Sequence, residues 1–248
     1  EKRVLKIKRN VDKMLVVFPF EVKFYKERDV DAVYAGHPLV KKIRQFMNDN
    51  PGRKRTFGTE KIIAVLPGSR KDEIRLHMPV LLKTLEQLSR EFDIRVNSST
   101  APGLKDTFEE YRSRYKIYNF TSENVYDLIL NSDLVFTKAG TSTMECALLG
   151  TPHIIFYRTY PLNYFLLKPI VKVKNLGIVN ILTGKNIVKE FVQNDFTPDK
   201  LLYEAREILI NAHYRNKMIN KLSSVWEILG ESDASYNAAK IIKETAGL

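Results

Sequence analysis

Short apolar runs alternate along the chain with longer segments whose apolar residues recur at helical spacing. The runs Met14–Phe18, Ile62–Leu66, Leu134–Phe136 and Ile154–Phe156 are continuous and apolar, which is typical of strands buried on both faces. Apolar residues between Ile74 and Phe92 follow helical periodicity instead. Strands that alternate with helices in this way predict an α/β fold, with a parallel sheet and helices on both of its faces.

Weaker patterns extend this alternation. They predict further strands at 31–35, 94–96 and 117–120, and further helices at 20–28, 125–130, 143–149 and 198–210. Two more helices are predicted after residue 210, the last at 232–245. Pro79 falls inside the long helical pattern and predicts either a kink or the first turn of that helix. Residues 48–57 are rich in turn formers and charge and predict a linker between two domains.

Charge narrows the range of partners. The 248-residue chain carries 40 Lys and Arg against 29 Asp and Glu, a formal charge of +11, which fits nucleic acid, an anionic membrane surface or phosphorylated substrates. Its single cysteine excludes an internal disulfide and a cysteine-rich metal site.

No run reaches the roughly 18 apolar residues of a spanning helix and no signal peptide is seen, so the pattern favours a cytoplasmic protein.

A turn of small residues follows the second apolar run. Its sequence, Leu-Pro-Gly-Ser-Arg from Leu66 to Arg70, leaves backbone N–H groups accessible at the start of a helix, where the helix dipole favours an anion. Arg70 can add a bidentate contact to phosphate. The same residues also fit an ordinary surface turn with a solvated arginine. The pattern alone does not favour phosphate binding over that interpretation.

A second turn of this kind follows the third apolar run. Gly140 precedes three hydroxyl residues, Thr141, Ser142 and Thr143, and Glu145 lies one turn into the helix, where a carboxylate can hold a ribose diol. Helix capping uses the same residue types, but a glycine with three successive hydroxyls favours phosphate binding. Two such turns on one sheet indicate a nucleoside diphosphate. Neither matches a P-loop or a dinucleotide fingerprint, which argues against an ATPase and a simple dehydrogenase.

A basic segment without acidic residues runs between Glu145 and Glu190. Within it, residues 157–174 mix aromatic and aliphatic side chains with Lys and Arg. This composition fits a membrane interface, and a core helix with a solvated basic edge fits it as well. The candidate lipid-contact residues are Tyr160, Tyr164, Phe165, Leu166, Lys168, Lys172 and Lys174.

Taken together and in order, these motifs resemble the lipid-A-disaccharide synthase family. The matching segments are Phe18-Pro-Phe-Glu-x-x-Phe-Tyr25, Gly36-His-Pro38, Leu66-Pro-Gly-Ser-Arg-x-x-Glu-Ile74, Ala139-Gly-Thr-Ser-Thr-x-Glu145, Pro152-x-Ile-Ile-x-Tyr-Arg158 and Val179-Asn-Ile-Leu182. Each segment alone is moderately specific, whereas the ordered set is highly specific. The resemblance implies a GT-B glycosyltransferase, which has two Rossmann-like domains and a cleft between them.

The resemblance also implies a reaction and a location. The enzyme would be inverting, independent of metal or cofactor, and peripheral at the cytoplasmic face of the inner membrane of Gram-negative bacteria. It would move 2,3-diacylglucosamine from UDP-2,3-diacylglucosamine to 2,3-diacylglucosamine 1-phosphate, giving UDP and the β-1,6-linked lipid A disaccharide 1-phosphate. Both substrates are phosphorylated lipids, which favours the membrane interpretation of residues 157–174. The resemblance permits a homodimer with exchanged C-terminal segments.

The family's nucleotide-binding residues carry over onto matching positions. The set that the resemblance implies is Ser69, Arg70, Thr141, Ser142, Thr143, Glu145, Tyr157, Arg158 and Asn180. Ser69, Arg70 and the three hydroxyls would contact the UDP phosphates, and Glu145 would hold the ribose. Arg70 would also stabilise charge on the leaving UDP in place of a metal ion. The last three residues match positions that line the nucleotide-sugar side.

One departure from the family concerns the start of the chain. The family's amino-terminal domain begins well before the residues that match Glu1, so the resemblance implies that roughly its first third, with the general base, is missing. We expect residues 1–47 to end that acceptor-side domain, 58–230 to form the UDP-sugar domain, and 231–248 to pack back on the first domain. The chain alone should therefore bind UDP weakly and form no disaccharide.

Two other interpretations stay open on the sequence. Another GT-B enzyme with a UDP-N-acetylglucosamine-type donor, such as the peptidoglycan glycosyltransferase or an epimerase, shares the second turn, although its other signatures are not found. A basic nucleic-acid-binding protein fits the charge, but no helix-turn-helix, zinc finger or RNP motif occurs. A donor comparison tests the first alternative, and the salt dependence of duplex binding tests the second.

Overall fold

The structure, a computed structural model, describes residues 2–52, 57–99, 111, 118–121, 124–160, 175–231 and 233–247. Its elements are α1 (Lys2–Asn10), β1 (Met14–Val16), α2 (Pro19–Lys26), β2 (Ala32–Tyr34), α3 (Pro38–Asp49), β3 (Lys61–Leu66), α4 (Lys71–Ser89), β4 (Ile94–Ser99), β5 (Tyr118–Thr121), α5 (Val125–Leu130), β6 (Leu134–Lys138), α6 (Thr141–Leu148), β7 (His153–Tyr157), α7 (Ile178–Thr183), β8 (Glu190–Val192), a 3₁₀ turn (Gln193–Asp195), α8 (Pro198–Ile210), α9 (Ala212–Leu222), α10 (Ser224–Leu229) and α11 (Ala234–Ala246). None of the described helices combines the length and the hydropathy needed to cross a bilayer.

Contacts between Cα atoms divide the chain into two compact units. The first joins Glu1–Pro51 with Ser224–Leu248, and the second is Gly52–Ser223. In the first unit β1 and β2 pair in parallel. The C-terminal helices of that unit are fastened to its N-terminal part, because the Tyr34 hydroxyl donates to the Leu229 carbonyl at 2.7 Å and the Asn237 amide donates to the Ala35 carbonyl at 3.2 Å.

The second unit is built around one parallel sheet. Its described strands run in the order β5-β4-β3-β6-β7-β8, and Ile63 of β3 lies opposite Val96 of β4 and Leu134 of β6. These central strands are almost fully buried. Helix α4 contacts α8, whereas α6 contacts α5 and α7, so one group of helices covers each face. The predicted α/β fold with helices on both faces of a parallel sheet is confirmed.

Several elements differ from the sequence prediction. Helices α1, α3 and α7 and the three-residue strand β8 were not predicted, and three helices rather than two follow α8. Pro79 lies inside α4, not in its first turn. Helix α3 has a clear start signal in retrospect: His37 is its N-cap, accepting the Leu39 N–H at 3.2 Å, and Pro38 occupies its first position.

The strand order fixes where a ligand can bind. From β3 the chain passes to β4 and then to β5 at one edge of the sheet. It returns to β6 on the other side of β3 and continues to β8 at the opposite edge. The order therefore reverses between β3 and β6. In open parallel sheets, ligands bind at such a switch point, outside the carboxyl ends of the strands.

Candidate functional site

A cleft lies at this switch point. Its volume is about 360 Å³, and it is lined by Leu66, Pro67, Gly68, Ser69, Arg70, Ser99, Val125, Lys138, Gly140, Thr141 and Ser142. These residues come from the carboxyl ends of three neighbouring strands, β3, β4 and β6, from the turns before α4 and α6, and from the first residues of α5 and α6. Both turns that the sequence predicted to bind phosphate thus open onto one cleft.

The first turn depends on a glycine. Gly68 has φ +125°, a backbone conformation that other residues rarely adopt, and a Cβ placed there would lie 2.8 Å from Oε2 of Glu73. Glycine therefore allows the Glu73 carboxylate to pack against the turn. Ser69 and Arg70 follow as exposed residues directly before α4. Their positions leave them accessible to a ligand at a helix N-terminus, where free N–H groups and the helix dipole favour an anion.

The hydroxyl groups of the second turn have two roles, since some line the cleft and one is buried within the turn. Thr141 and Ser142 line the cleft, and the Ser142 hydroxyl also lies 2.7 Å from that of Thr137. Thr143 is fully buried, and its hydroxyl donates to the Gly140 carbonyl at 2.7 Å. In this structure Thr143 therefore supports the turn from within, and its direct contact with phosphate stays a prediction.

One carboxylate joins the two turns. Oε1 of Glu73 accepts a hydrogen bond from the Arg70 guanidinium at 2.9 Å and from the Lys138 ammonium at 2.9 Å. Burial raises the pKa of Glu73, but the bonds and charges of Lys138 and Arg70 outweigh this effect and leave the pKa below its usual value. Glu73 is therefore ionised, and the group of two cations and one carboxylate keeps a net charge of about +1.

A buried histidine links the first turn to the end of β7. His77 Nδ1 lies 2.7 Å from the Pro67 carbonyl oxygen, and its Nε2 accepts the Arg158 N–H at 3.1 Å. A neutral ring with its proton on Nδ1 satisfies these two bonds, although Nε2 also lies 3.0 Å from the Arg158 carbonyl oxygen. Burial lowers the pKa of the ring, which favours the neutral form. No role for His77 could be predicted from the sequence, because its two partners lie 10 and 81 residues away in the chain.

The predicted residues at the end of β7 are held in place by contacts with neighbouring side chains and backbone. Tyr157 is half-buried, with the Lys138 ammonium 5.8 Å from its ring centroid. The Arg158 guanidinium donates to the backbone carbonyls of Gln193 and Phe196 and stacks over the Phe196 ring at 5.0 Å. Arg158 therefore joins the end of β7 to the segment after β8. It does not line the cleft described above.

The side chain of Asn180 also forms hydrogen bonds within the protein. Its amide nitrogen donates to the Val188 carbonyl and to Glu190 Oε1, each at 2.7 Å. Its oxygen accepts the N–H groups of Ile187 and Val188, at 2.9 and 3.1 Å. Only 1% of the residue is exposed. Asn180 therefore shapes the loop between α7 and β8, a role that the motif Val-Asn-Ile-Leu did not reveal.

The remaining predicted residues divide into described and undescribed positions. Glu145 is partly buried on α6, close enough to Tyr126 for its charge to add to burial in raising the pKa of that phenol. Tyr160 is 46% exposed. The other candidate lipid-contact residues, from Tyr164 to Lys174, lie outside the described residues.

Comparison with solved structures identifies the fold class of the chain. A structure of S. aureus MnaA with UDP superimposes with a TM-score of 0.65 at 12% identity, covering 98% of this chain and 61% of that one. A glycosyltransferase from Rickettsia africae superimposes with a TM-score of 0.58 at 13% identity, covering 98% and 67%. At this level of identity the likeness shows the fold, and that fold is GT-B.

Sequence comparison identifies the family within this class. The lipid-A-disaccharide synthetase family profile matches residues 1–245, and the chain belongs to that family. The lipid-A-disaccharide synthase of Geobacter sulfurreducens is 34% identical over 251 residues, which cover 99% of this chain. The chain spans 65% of the length of that relative. Family membership favours the synthase over the two alternatives that the sequence left open.

Proposed function

We propose that this chain forms the nucleotide-sugar side of an enzyme that makes the lipid A disaccharide. The reaction moves 2,3-diacylglucosamine from UDP-2,3-diacylglucosamine to 2,3-diacylglucosamine 1-phosphate and releases UDP, a step in lipopolysaccharide biosynthesis. Family membership supports the choice of substrates. The observation that carries the proposal is the convergence of two small-residue turns, each opening a helix, on one cleft at the switch point of the sheet.

The cleft suits a leaving diphosphate. In an inverting displacement, the acceptor hydroxyl oxygen bonds to the sugar C1 from one face and gives its proton to a general base, as the bond from C1 to the diphosphate oxygen breaks on the other face. Negative charge then grows on the diphosphate. Arg70 and the N-termini of α4 and α6 border the cleft and would stabilise that charge without a metal ion. Ser69, Thr141 and Ser142 would donate hydroxyl bonds to the same oxygens.

We assign the nucleoside part of the ligand to residues on the neighbouring elements. Glu145 would accept hydrogen bonds from the ribose hydroxyls, and Tyr157 would line the nucleotide-sugar side. Arg158 and Asn180 make internal bonds in this structure, so we assign them to holding the loops that border that side. Their effect on binding would then be indirect, through loop position.

The acylated substrates require access to a membrane surface. We place the protein peripherally at the cytoplasmic face of the inner membrane, with the basic aromatic segment 157–174 at the lipid. The net charge of +11 and the exposure of Tyr160 support this assignment. Flotation with anionic vesicles tests it: the chain should float with phosphatidylglycerol vesicles and remain unbound with neutral ones. Sedimentation equilibrium tests the homodimer with exchanged C-terminal segments that the family resemblance permits.

A comparison of donors tests the proposed function. We expect UDP and UDP-2,3-diacylglucosamine to compete for one site, with the acylated donor binding more tightly than UDP-N-acetylglucosamine. Arg70→Ala should weaken all three, because each presents the same diphosphate. Equal binding of the acylated and unacylated donors would contradict the lipid specificity. Tight, salt-sensitive binding of duplex DNA without nucleotide competition would contradict the function altogether.

A further inference from the structure

Lys138 is a cation inside the cleft that sequence reasoning gave no role. It is the last residue of β6, immediately before the second small-residue turn, and it lines the cleft together with residues of both turns. Its side chain is 18% exposed, whereas that of Arg70 is 75% exposed. Lys138 is thus the more desolvated of the two cations, and electrostatic interactions are stronger where water is displaced.

Glu73 holds Lys138 in position while leaving its charge available. The carboxylate shares Oε1 between the two cations at 2.9 Å each, so it neutralises only one of their two charges. Its Oε2 is buried beside Gly68 and has no hydrogen-bond partner among the described residues. The carboxylate is itself 14% exposed. The arrangement keeps the ammonium at the cleft wall, and an ammonium has three N–H donors to distribute.

We propose that Lys138 is a second diphosphate-binding residue, contacting the phosphate oxygens together with Arg70 and kept in place by Glu73. This assignment rests on the proposed nucleotide site. The two cations lie on opposite turns, Arg70 after β3 and Lys138 at the end of β6, and a diphosphate lying across the switch point has oxygens for both. Because the ammonium is already ordered by the carboxylate, little side-chain entropy is lost when the ligand arrives.

A purely structural role for Lys138 is the competing explanation, and it predicts different measurements. If Lys138 only supported Glu73, its removal would lower stability and would affect all ligands of the site alike. If it binds the diphosphate, its removal would act on ligands that carry phosphate and spare those that lack it. Uridine and UDP share the nucleoside and differ in the diphosphate, so their comparison separates the two roles.

The test is calorimetric titration of the full chain with UDP and with uridine. Lys138→Met keeps the aliphatic stem and removes the charge, and Lys138→Gln serves as a second variant in case the first folds poorly. Lys83→Met is the matched control, because Lys83 is an exposed lysine in the second half of α4, away from the cleft, and its loss changes net charge equally. We expect Lys138→Met to weaken UDP about tenfold, the effect of losing a charge-assisted hydrogen bond.

The outcomes separate this assignment from the proposed function. Weaker UDP binding with unchanged uridine binding in both Lys138 variants, and no change in Lys83→Met, would support the assignment. If the Lys138 variants bind UDP as tightly as the wild type, or lose uridine and UDP binding equally, the assignment of Lys138 is wrong. The proposed nucleotide site is not affected by either result. A wild-type chain that binds neither ligand would overturn the nucleotide site, and the role of Lys138 with it.

Discussion

Gly68→Ala perturbs the first turn at the point where the backbone and Glu73 meet. The substitution adds one methyl group at φ +125°, 2.8 Å from Glu73 Oε2 and 3.3 Å from Glu73 Cβ. The Oε2 distance is shorter than real Cβ contacts, so either the turn or the carboxylate must move. Because the same carboxylate binds Arg70 and Lys138, movement of Glu73 displaces both cations.

The expected cost has two parts. Holding alanine in a backbone region that favours glycine costs about 1–3 kcal/mol. Weakening the charged hydrogen bonds of Glu73 costs about 1.5–3 kcal/mol more. We therefore expect the second unit to lose about 2.5–6 kcal/mol of stability. UDP affinity should fall about tenfold, because the two cations no longer face the cleft together.

Gly150→Ala is the control for backbone strain. Gly150 also has a positive φ, +68°, but nothing lies within 4 Å of a Cβ added there. It follows α6 at the opposite end of that helix from the cleft. Its substitution should cost about 1–2 kcal/mol and leave UDP affinity unchanged. Urea unfolding followed by far-ultraviolet circular dichroism, with calorimetric UDP titration, measures both. Equal losses of stability and of affinity in the two variants would refute the role given to Glu73.

Three further predictions concern buried polar groups. Asn180→Ala should destabilise the second unit by about 2–4 kcal/mol in urea unfolding, because it leaves the backbone partners of Asn180 unpaired; a loss below 1 kcal/mol would contradict this. Burial lowers the pKa of His153 to about 4. Since the unfolded chain takes up that proton first, stability should fall by about 3 kcal/mol as pH drops from about 6.5 to about 4, and His153→Leu should show a shallower dependence. Glu73 has a lowered pKa in the folded state, so its contribution is present at neutral pH and lost as pH falls below the usual carboxyl value of 4.5; Glu73→Gln should flatten that part of the stability profile.

The central part of the fold was predictable because its strands are buried on both faces. Continuous apolar runs such as Ile62–Leu66 cannot face water, and they mark β3, β6 and β7 within a residue or two. Strand β8 escaped prediction because it has three residues, all partly exposed, at the sheet edge. A strand of that length has too few positions to show a period.

The site was predictable as far as it is local in sequence. Each small-residue turn can be recognised in the sequence because it directly follows a buried strand. The parallel sheet then brings both turns to the same edge. The connections between turns were not predictable in this way. Glu73 meets Lys138 across 65 positions, and His77 meets Arg158 across 81. No local pattern encodes such pairs, because they depend on which strands become neighbours.

A crystal structure of the chain with UDP tests the central claim most directly. We predict a diphosphate at the switch point between β3 and β6, with its oxygens about 3 Å from the backbone N–H groups that begin α4 and α6 and from the Arg70 guanidinium. UDP bound elsewhere on the molecule, with both small-residue turns unoccupied, would contradict it.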